Sequence, residues 1–323
     1  MAIETETAGL SESVSPPSEK KSDGKFIKIL KTSYVGWLFT LPLTIGLLVF
    51  TFYPMIQSLV YAFAEYDGVE KFKFIGFDNF VRMFTADRRE MVTVIKNTFV
   101  YAIITVPLSL VLSYLLALLV NKKIAGVGVF RVLYYLPVVI PSVVSGLLWK
   151  GVFDPVYGLG NSILNAAGLP SSQFLESAKS AMATMIVMSL WGLGGNMILW
   201  LSSLKNIPPE LYEAATIDGA NPFVKLVYVT IPMSTSMIFY NLITGIIGSL
   251  QTFSTYIIAN NDGRGPDNSL YFFAVKIYNT AFAGTKFVYG YASALAWFLF
   301  LIIGILTITV FRTSKWVYYG EES

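Results

Sequence analysis

The sequence predicts an all-α integral membrane protein with six transmembrane helices, and three observations predict it. Only 13% of the 323 residues are charged, about half the share usual in soluble domains, while 54% are hydrophobic and the mean hydropathy is +0.61. Runs free of Asp, Glu, Lys and Arg recur at residues 34–64, 97–121, 132–149, 180–204, 226–261 and 287–311. Each holds a stretch near the ~20 residues with which a helix crosses ~30 Å of hydrocarbon. The charge is confined to the connections between these runs.

The composition also excludes function classes. The chain has no Cys and no His. Disulfides, thiol chemistry, Cys/His metal sites and a His general base are therefore out, and no catalytic or metal-binding residue is expected. The net charge of +3 is small and dispersed, which argues against a nucleic-acid partner.

Residues 1–30 read as a disordered tail. Its first 24 residues are polar and rich in Ser, Pro and Glu, and they lack the basic start and cleavage site of a signal peptide. Lys25, Lys28 and Lys31 then precede the first run, and residues 31–319 form the membrane domain. The long connections at 65–96, 150–179 and 262–286 carry turn signals such as Asp154-Pro155 and Gly265-Pro266 without strand alternation, so short interfacial helices are expected. Pro107, Pro137 and Pro141 lie inside the second and third runs, where kinks are expected. Lys122, Lys123 and Arg131 fill the tight second connection, and Arg312 and Lys315 follow the last run. The opposite connections mix signs, as at Asp87, Arg88, Arg89 and Glu90. The positive-inside rule then places both termini in the cytoplasm.

The connection between the fourth and fifth runs reads as a short helix with its punctuation. Asn206 is the expected N-cap, Pro208 and Pro209 suit the first turn, and Glu210 complements the helix dipole. Gly219 can take the left-handed conformation that stops the helix, and Asn221-Pro222 starts the next. Leu211, Ala214, Ala215 and Ile217 give a small apolar face beside the acids Glu210, Glu213 and Asp218. Small side chains allow close approach by another protein, and acids beside them can pair with Arg. An ordinary inter-helix loop with a solvated acidic face has the same composition.

No stretch fits G-x-x-x-x-G-K-[ST], so the chain has no P-loop of its own. The six runs also lack the intramembrane acid on which proton-coupled carriers rely. Uncharged polar and aromatic residues do fall on stripes within them. Asn196 and Trp200 recur at helical spacing in the fourth run; Asn241, Thr244, Gln251 and Thr255 do so in the fifth. Amides and hydroxyls hydrogen-bond sugar hydroxyls, and aromatic faces stack on pyranose C–H surfaces, so these six are candidate pathway residues. Residues of this kind at this spacing also pack membrane helices together; Gly192, Gly245 and Gly248 are read that way.

Tyr212-Glu-Ala-Ala-Thr-Ile-Asp-Gly-Ala220, followed by Leu226, Thr230, Ile231 and Pro232, resembles the EAA loop of binding-protein-dependent ABC importer permeases. The family pattern is E-A-A, two residues, D-G-A, then a short helix to an apolar-Pro pair, here with Ile231 where Leu is commoner. Phe74-Ile-Gly-Phe-Asp-Asn-Phe80, Asn97-Thr98-Phe99, Phe130-Arg131 with Leu136-Pro137, and Trp149 through Asp154-Pro155 to Gly158 and Asn161 resemble the sugar-permease branch. So do Gly265-Pro266 and Gly290-Tyr291-Ala292-Ser293-Ala294. Only the N-terminal tail falls outside the resemblance.

The resemblance implies a type I ABC importer permease fold in a bacterial cell (inner) membrane, with an EAA coupling loop at residues 205–232. It implies that Glu213, Ala214, Ala215, Asp218 and Gly219 dock on a cytoplasmic ATPase. The implied partners are a second, non-identical permease, two ATP-binding subunits, an extracytoplasmic substrate-binding protein, a saccharide and membrane lipid. ATP and Mg would sit on the ATPase subunits, with no cofactor on this chain. The alternative class is a standalone secondary carrier or channel for a small polar solute.

Overall fold

The computed structural model describes residues 36, 38–69, 72–122, 125–254, 258, 260, 262–283 and 288–318. The expected tail at 1–30 lies outside them, as do Lys123 and Thr255. The chain divides into two units, Met1–Ile56 and Gln57–Ser323.

The described part of the first unit is helical and carries most of α1, Leu38–Ala62, whose side chains there are mostly apolar and exposed. The second unit opens with the last residues of α1 and a hairpin of two strands, β1 Ala64–Tyr66 and β2 Phe72–Phe74, paired antiparallel with Glu65 opposite Lys73. The sequence reading expected only helices here. The hairpin forms because Asp67 Oδ1 accepts from the Val69 N–H across Gly68, whose φ is +90°, a turn suited to tight reversal. Strands of three residues are too short to show alternation. Buried Asn79 locks the reversal by donating from Nδ2 to the carbonyls of Ala62 (3.0 Å) and Ala64 (2.9 Å).

Helices α2, Asp78–Phe84, and α3, Arg88–Asn121, follow. Helix α3 starts nine residues before the uncharged run at 97–121, so it carries Arg88, Arg89, Glu90 and Lys96 beyond the apolar stretch. Pro107 sits inside it without ending it. At its far end Arg131 Nη2 donates to the Val120 carbonyl at 2.7 Å, satisfying one of the helix's free acceptors.

The third run differs most from expectation. It is two helices, α4 Val127–Val139 and α5 Ser142–Val152, bent by 101°. Pro137 is tolerated inside α4, but Pro141 forces Ile140 out of the helical region to φ −75°, ψ 126°. After the short α6, Leu159–Ala166, comes a near-continuous run, Ala178–Lys205, made of α7 Ala178–Ser189 and α8 Leu193–Lys205 around a 3₁₀ turn at Leu190–Gly192. Helix α9, Pro209–Ile217, leads to α10 Pro222–Met233 and α11 Thr235–Leu250, bent by 65°. The chain closes with α12 Phe273–Tyr278 and α13 Tyr289–Arg312. Among the described residues, four helical runs are long and apolar enough to cross a membrane, or up to six if each bent pair is one crossing.

Helix α3 packs on α8 and α11 and is the central post of the second unit. Towards the end that bears the hairpin, the upper end, the core gathers Tyr101, Met185, Phe272, Tyr291 and Leu295; towards the other it gathers Val120, Met197, Trp200 and Leu204. Close approach is decided at Gly194, where a Cβ would overlap the Tyr134 carbonyl oxygen of α4.

The upper end is pinned by polar groups. Asn97 Nδ2 donates to the carbonyls of Asn268 (2.8 Å) and Tyr271 (3.3 Å), and the Phe273 N–H donates to buried Thr98 Oγ1 (3.0 Å). Beside them Lys276 of α12 is 2% exposed. Its Nζ donates to Glu90 and lies 3.9 Å from Asp87 Oδ2. Arg264 pairs with Glu90 and Arg82 with Asp87, each at 3.4 Å. The two guanidiniums lie over the rings of Tyr271 (4.5 Å) and Tyr291 (4.2 Å). Burial, then the Glu90 charge, pushes the pKa of the Tyr271 hydroxyl up, so it stays protonated beside that carboxylate. Asp87 and Glu90, read from sequence as part of a connection of mixed sign, thus join one network around a buried lysine, with the two arginines at its partly exposed rim.

Replacing Lys276 with Met should lower the stability of the detergent-solubilised protein by about 3 kcal/mol, the low end for breaking a buried pair, because both carboxylates keep an arginine. A thermal-unfolding midpoint equal to that of the wild type would contradict this reading of the network.

Candidate functional site

Two regions hold the residues singled out by the sequence. The first is the turn between α9 and α10. Helix α9 starts at Pro209, with Pro208 extended at φ −57°, ψ 130°. Asn206 is not its N-cap; it ends α8 instead. The reason is Pro209, which excludes helical geometry from the residue before it and so moves the start two residues on. The C-terminal punctuation forms as expected. Gly219 has φ +76°, its N–H donates to the Thr216 carbonyl (3.0 Å), and the Ala220 N–H donates to the Ala215 carbonyl (2.9 Å). This is the Schellman arrangement. Asn221 caps α10, its Oδ1 accepting from the Val224 N–H at 2.9 Å.

Side chains fix the two helices to each other. The Lys225 Nζ donates to Thr216 Oγ1 (2.7 Å), and the Tyr212 and Thr230 hydroxyls share a hydrogen bond (3.1 Å). Between the helices lies a groove of about 570 Å³ whose lining includes Leu211, Ala214, Ala215, Asp218, Gly219 and Tyr228. Four of the five residues expected to couple thus share one groove, while Glu213 is exposed outside its lining. Ile217, Phe223 and Tyr228 stand 72–87% exposed around it.

The second region lies where the helices break. A concavity of about 500 Å³ opens at the α4–α5 bend, with Pro141, Ser145, Trp149, Met185 and Trp191 in its wall. A smaller one of about 240 Å³ lies between α3, α8 and α11, lined in part by Thr105, Ser109, Asn196, Gly248 and Thr252. Tyr101, Ser189 and Gly192 belong to both. Among the described residues, no Asp, Glu, Lys or Arg lines either.

Of the pathway candidates, Asn196 lines the smaller concavity. Trp200 does not: it is 1% exposed, donates from Nε1 to Ser113 Oγ (2.9 Å), and meets Tyr114 edge-on at 4.9 Å. Asn241 is 2% exposed and donates to the Met237 carbonyl. Thr244 is exposed and bonds back to the Tyr240 carbonyl, and Gln251 is exposed at the end of α11. Neither lines the concavities, and Thr255 is not among the described residues. Gly192 and Gly248, read as packing residues, instead face open space, while a Cβ at Gly245 would meet Val106 at 3.4 Å. The residues missed are Tyr101, Ser109, Ser189 and Thr252. The stripe Tyr101, Thr105, Ser109, four residues apart in the second run, was the available signal.

Residues 109–318 match the family described as binding-protein-dependent transport system inner membrane component. The chain belongs to this family. It is therefore a multi-pass membrane transport component, and relatives span nearly its whole length. The probable ABC transporter permease protein YesP of Bacillus subtilis (strain 168) is 37% identical over 91% of this chain and 95% of its own. The multiple sugar-binding transport system permease protein MsmF of Streptococcus mutans is 32% identical over 90% of this chain and 98% of its own. A bacterial alginate ABC transporter, solved in complex with an alginate pentasaccharide-bound periplasmic protein, has a chain of the same fold: TM-score 0.78 at 23% identity, covering 89% of this chain and 96% of that one.

Several of the motifs that carried the sequence resemblance are structural fixings in this chain. Asn79 locks the hairpin, and Asn97 and Thr98 hold the loop before α12. Asp154 Oδ1 accepts from the N–H groups of Val156 and Tyr157, and Asn161 bonds Pro155 and Ser172.

Valine at Gly219 would put a β-branched side chain in the left-handed region, at a cost of about 1–2 kcal/mol. Gly219→Val should therefore speed amide hydrogen exchange in α9, whereas Gly219→Asn should leave it near wild type. Equal exchange in both variants would show that the φ of Gly219 does not hold the turn.

Proposed function

We propose that this chain is the transmembrane permease subunit of an ATP-driven importer of oligosaccharide-type sugars. It forms half of a translocation pathway and couples to a cytoplasmic ATPase through residues 205–232. The observation that carries the reading is the α9–α10 turn. It couples a Schellman-capped helix, an open groove lined by Ala214, Ala215 and Asp218, and apolar side chains left exposed around it. An exposed apolar patch rimmed by polar groups is the mark of a protein-binding surface.

In this reading each bent pair is one crossing, giving six spans in the domain at 31–319, with the tail at 1–30 and both termini in the cytoplasm. Glu213 pairs with a basic residue of the ATPase, which holds ATP and Mg. Closure of the ATPase dimer moves the turn and rocks the spans. A second, non-identical permease completes the pathway, and an extracytoplasmic binding protein delivers the sugar. The uncharged concavities suit a neutral saccharide: Asn196 and the Ser and Thr hydroxyls match its hydroxyls, and Trp149 and Trp191 offer stacking faces. The sugar system named for the relative MsmF supports that substrate class.

Loss of a desolvated charge pair at an interface costs about 2–5 kcal/mol. Glu213→Ala and Gly219→Pro should therefore leave the protein in the membrane and abolish ATP-driven uptake. Normal uptake by both variants would overturn the coupling assignment. Reconstitution separates this reading from a standalone carrier: the chain alone in liposomes should transport nothing, and sugar flux without the ATPase would establish a carrier.

A further inference from the structure

The two concavities have a common wall, and its bulkiest member is Tyr101. Tyr101 stands midway along α3 and is only 6% exposed. Its ring packs against Phe272 with centroids 5.2 Å apart, which anchors one side in the upper core. Ser189 lines both concavities with Tyr101, and Thr252 lines the smaller one. Both residues sit where helical geometry is interrupted. Ser189 ends α7 and bonds its own Oγ to the Ile186 carbonyl at 2.6 Å just before the 3₁₀ turn; Thr252 follows the end of α11. The two sides differ in chemistry. The larger concavity has the rings of Trp149 and Trp191 with the sulfurs of Met185 and Met188, whereas the smaller one has Thr105, Ser109 and Asn196.

We propose that Tyr101 is the partition of this half of the pathway, a positioning residue that keeps an outer aromatic compartment separate from an inner polar one. The inference rests on the transport reading above and adds to it a named seal. The ring is the barrier, and it stands beside the two helix breaks. Rocking of α7–α8 against α11 moves Ser189 and Thr252 apart, opens space beside the ring, and lets a sugar pass from the aromatic compartment to the polar one. A constriction of this kind blocks small polar solutes by filling the passage, with no charge required.

The test uses the complete transporter, with both permeases and both ATPase subunits, in liposomes loaded with radiolabelled glucose, without ATP and without the binding protein. Tyr101→Ala should release glucose about tenfold faster than wild type, because it joins the two compartments. Tyr101→Phe keeps the ring and should stay close to wild type. Met185→Ala removes a buried side chain that lines the larger concavity alone, and should also stay sealed. Unchanged leak from Tyr101→Ala overturns the proposal. So does leak from Tyr101→Phe or Met185→Ala as fast as that from Tyr101→Ala, which would mean loss of the hydroxyl or general loosening. ATP-driven uptake by the wild type, measured in the same preparation with the binding protein, tests the transport reading separately, since passive leak needs neither.

Discussion

A buried ammonium cannot exist without partners, and the upper end of this protein is organised around one. Lys276 is almost entirely removed from solvent, so Glu90 and Asp87 must reach it. Those carboxylates come from the start of α3 and the residue before it, while Lys276 comes from α12. Holding the three together fixes the long connection before α12 onto the central post. Arg82 and Arg264 then balance the carboxylates and lie on the rings of Tyr291 and Tyr271. The result joins α2, α3, α12 and α13 at one level, with the Asn97 and Thr98 hydrogen bonds beside it.

Below this clamp the helices are free to break. In hydrocarbon an interrupted helix must find other partners for its backbone, so breaks persist only against protein or a water-filled space. Three interruptions, at Ile140–Pro141, at Leu190–Gly192 and after Leu250, surround the two concavities. The site is thus a consequence of where regular structure fails. Tyr101 lies on unbroken α3 and spans the gap between two of these failures.

The opposite end follows another logic. The α9–α10 turn is built almost wholly from local rules: two prolines set its start, a left-handed glycine sets its stop, and Asn221 restarts the chain. It was correspondingly legible in the sequence, residue by residue, apart from the displaced N-cap. The concavities were legible only in kind. A stripe of polar residues in an apolar helix marks something that needs explaining, but Asn196 and Trp200 share a stripe and have different surroundings: one lines a concavity and the other is sealed in the core against Ser113.

The sequence by itself determined the membrane class, the number of apolar runs and the α9–α10 turn, because length, hydropathy and capping act over a few consecutive residues. Tertiary structure decided the 101° angle at which α4 and α5 meet across the break that Pro141 makes locally. It alone buried Lys276 among carboxylates 186 and 189 residues away in sequence, brought Gly194 against the α4 backbone, and placed Tyr101 in the wall of both concavities. The physical reason is range. Capping and hydropathy are properties of neighbours along the chain, whereas desolvation, close approach and enclosure depend on which distant residues arrive at the same point.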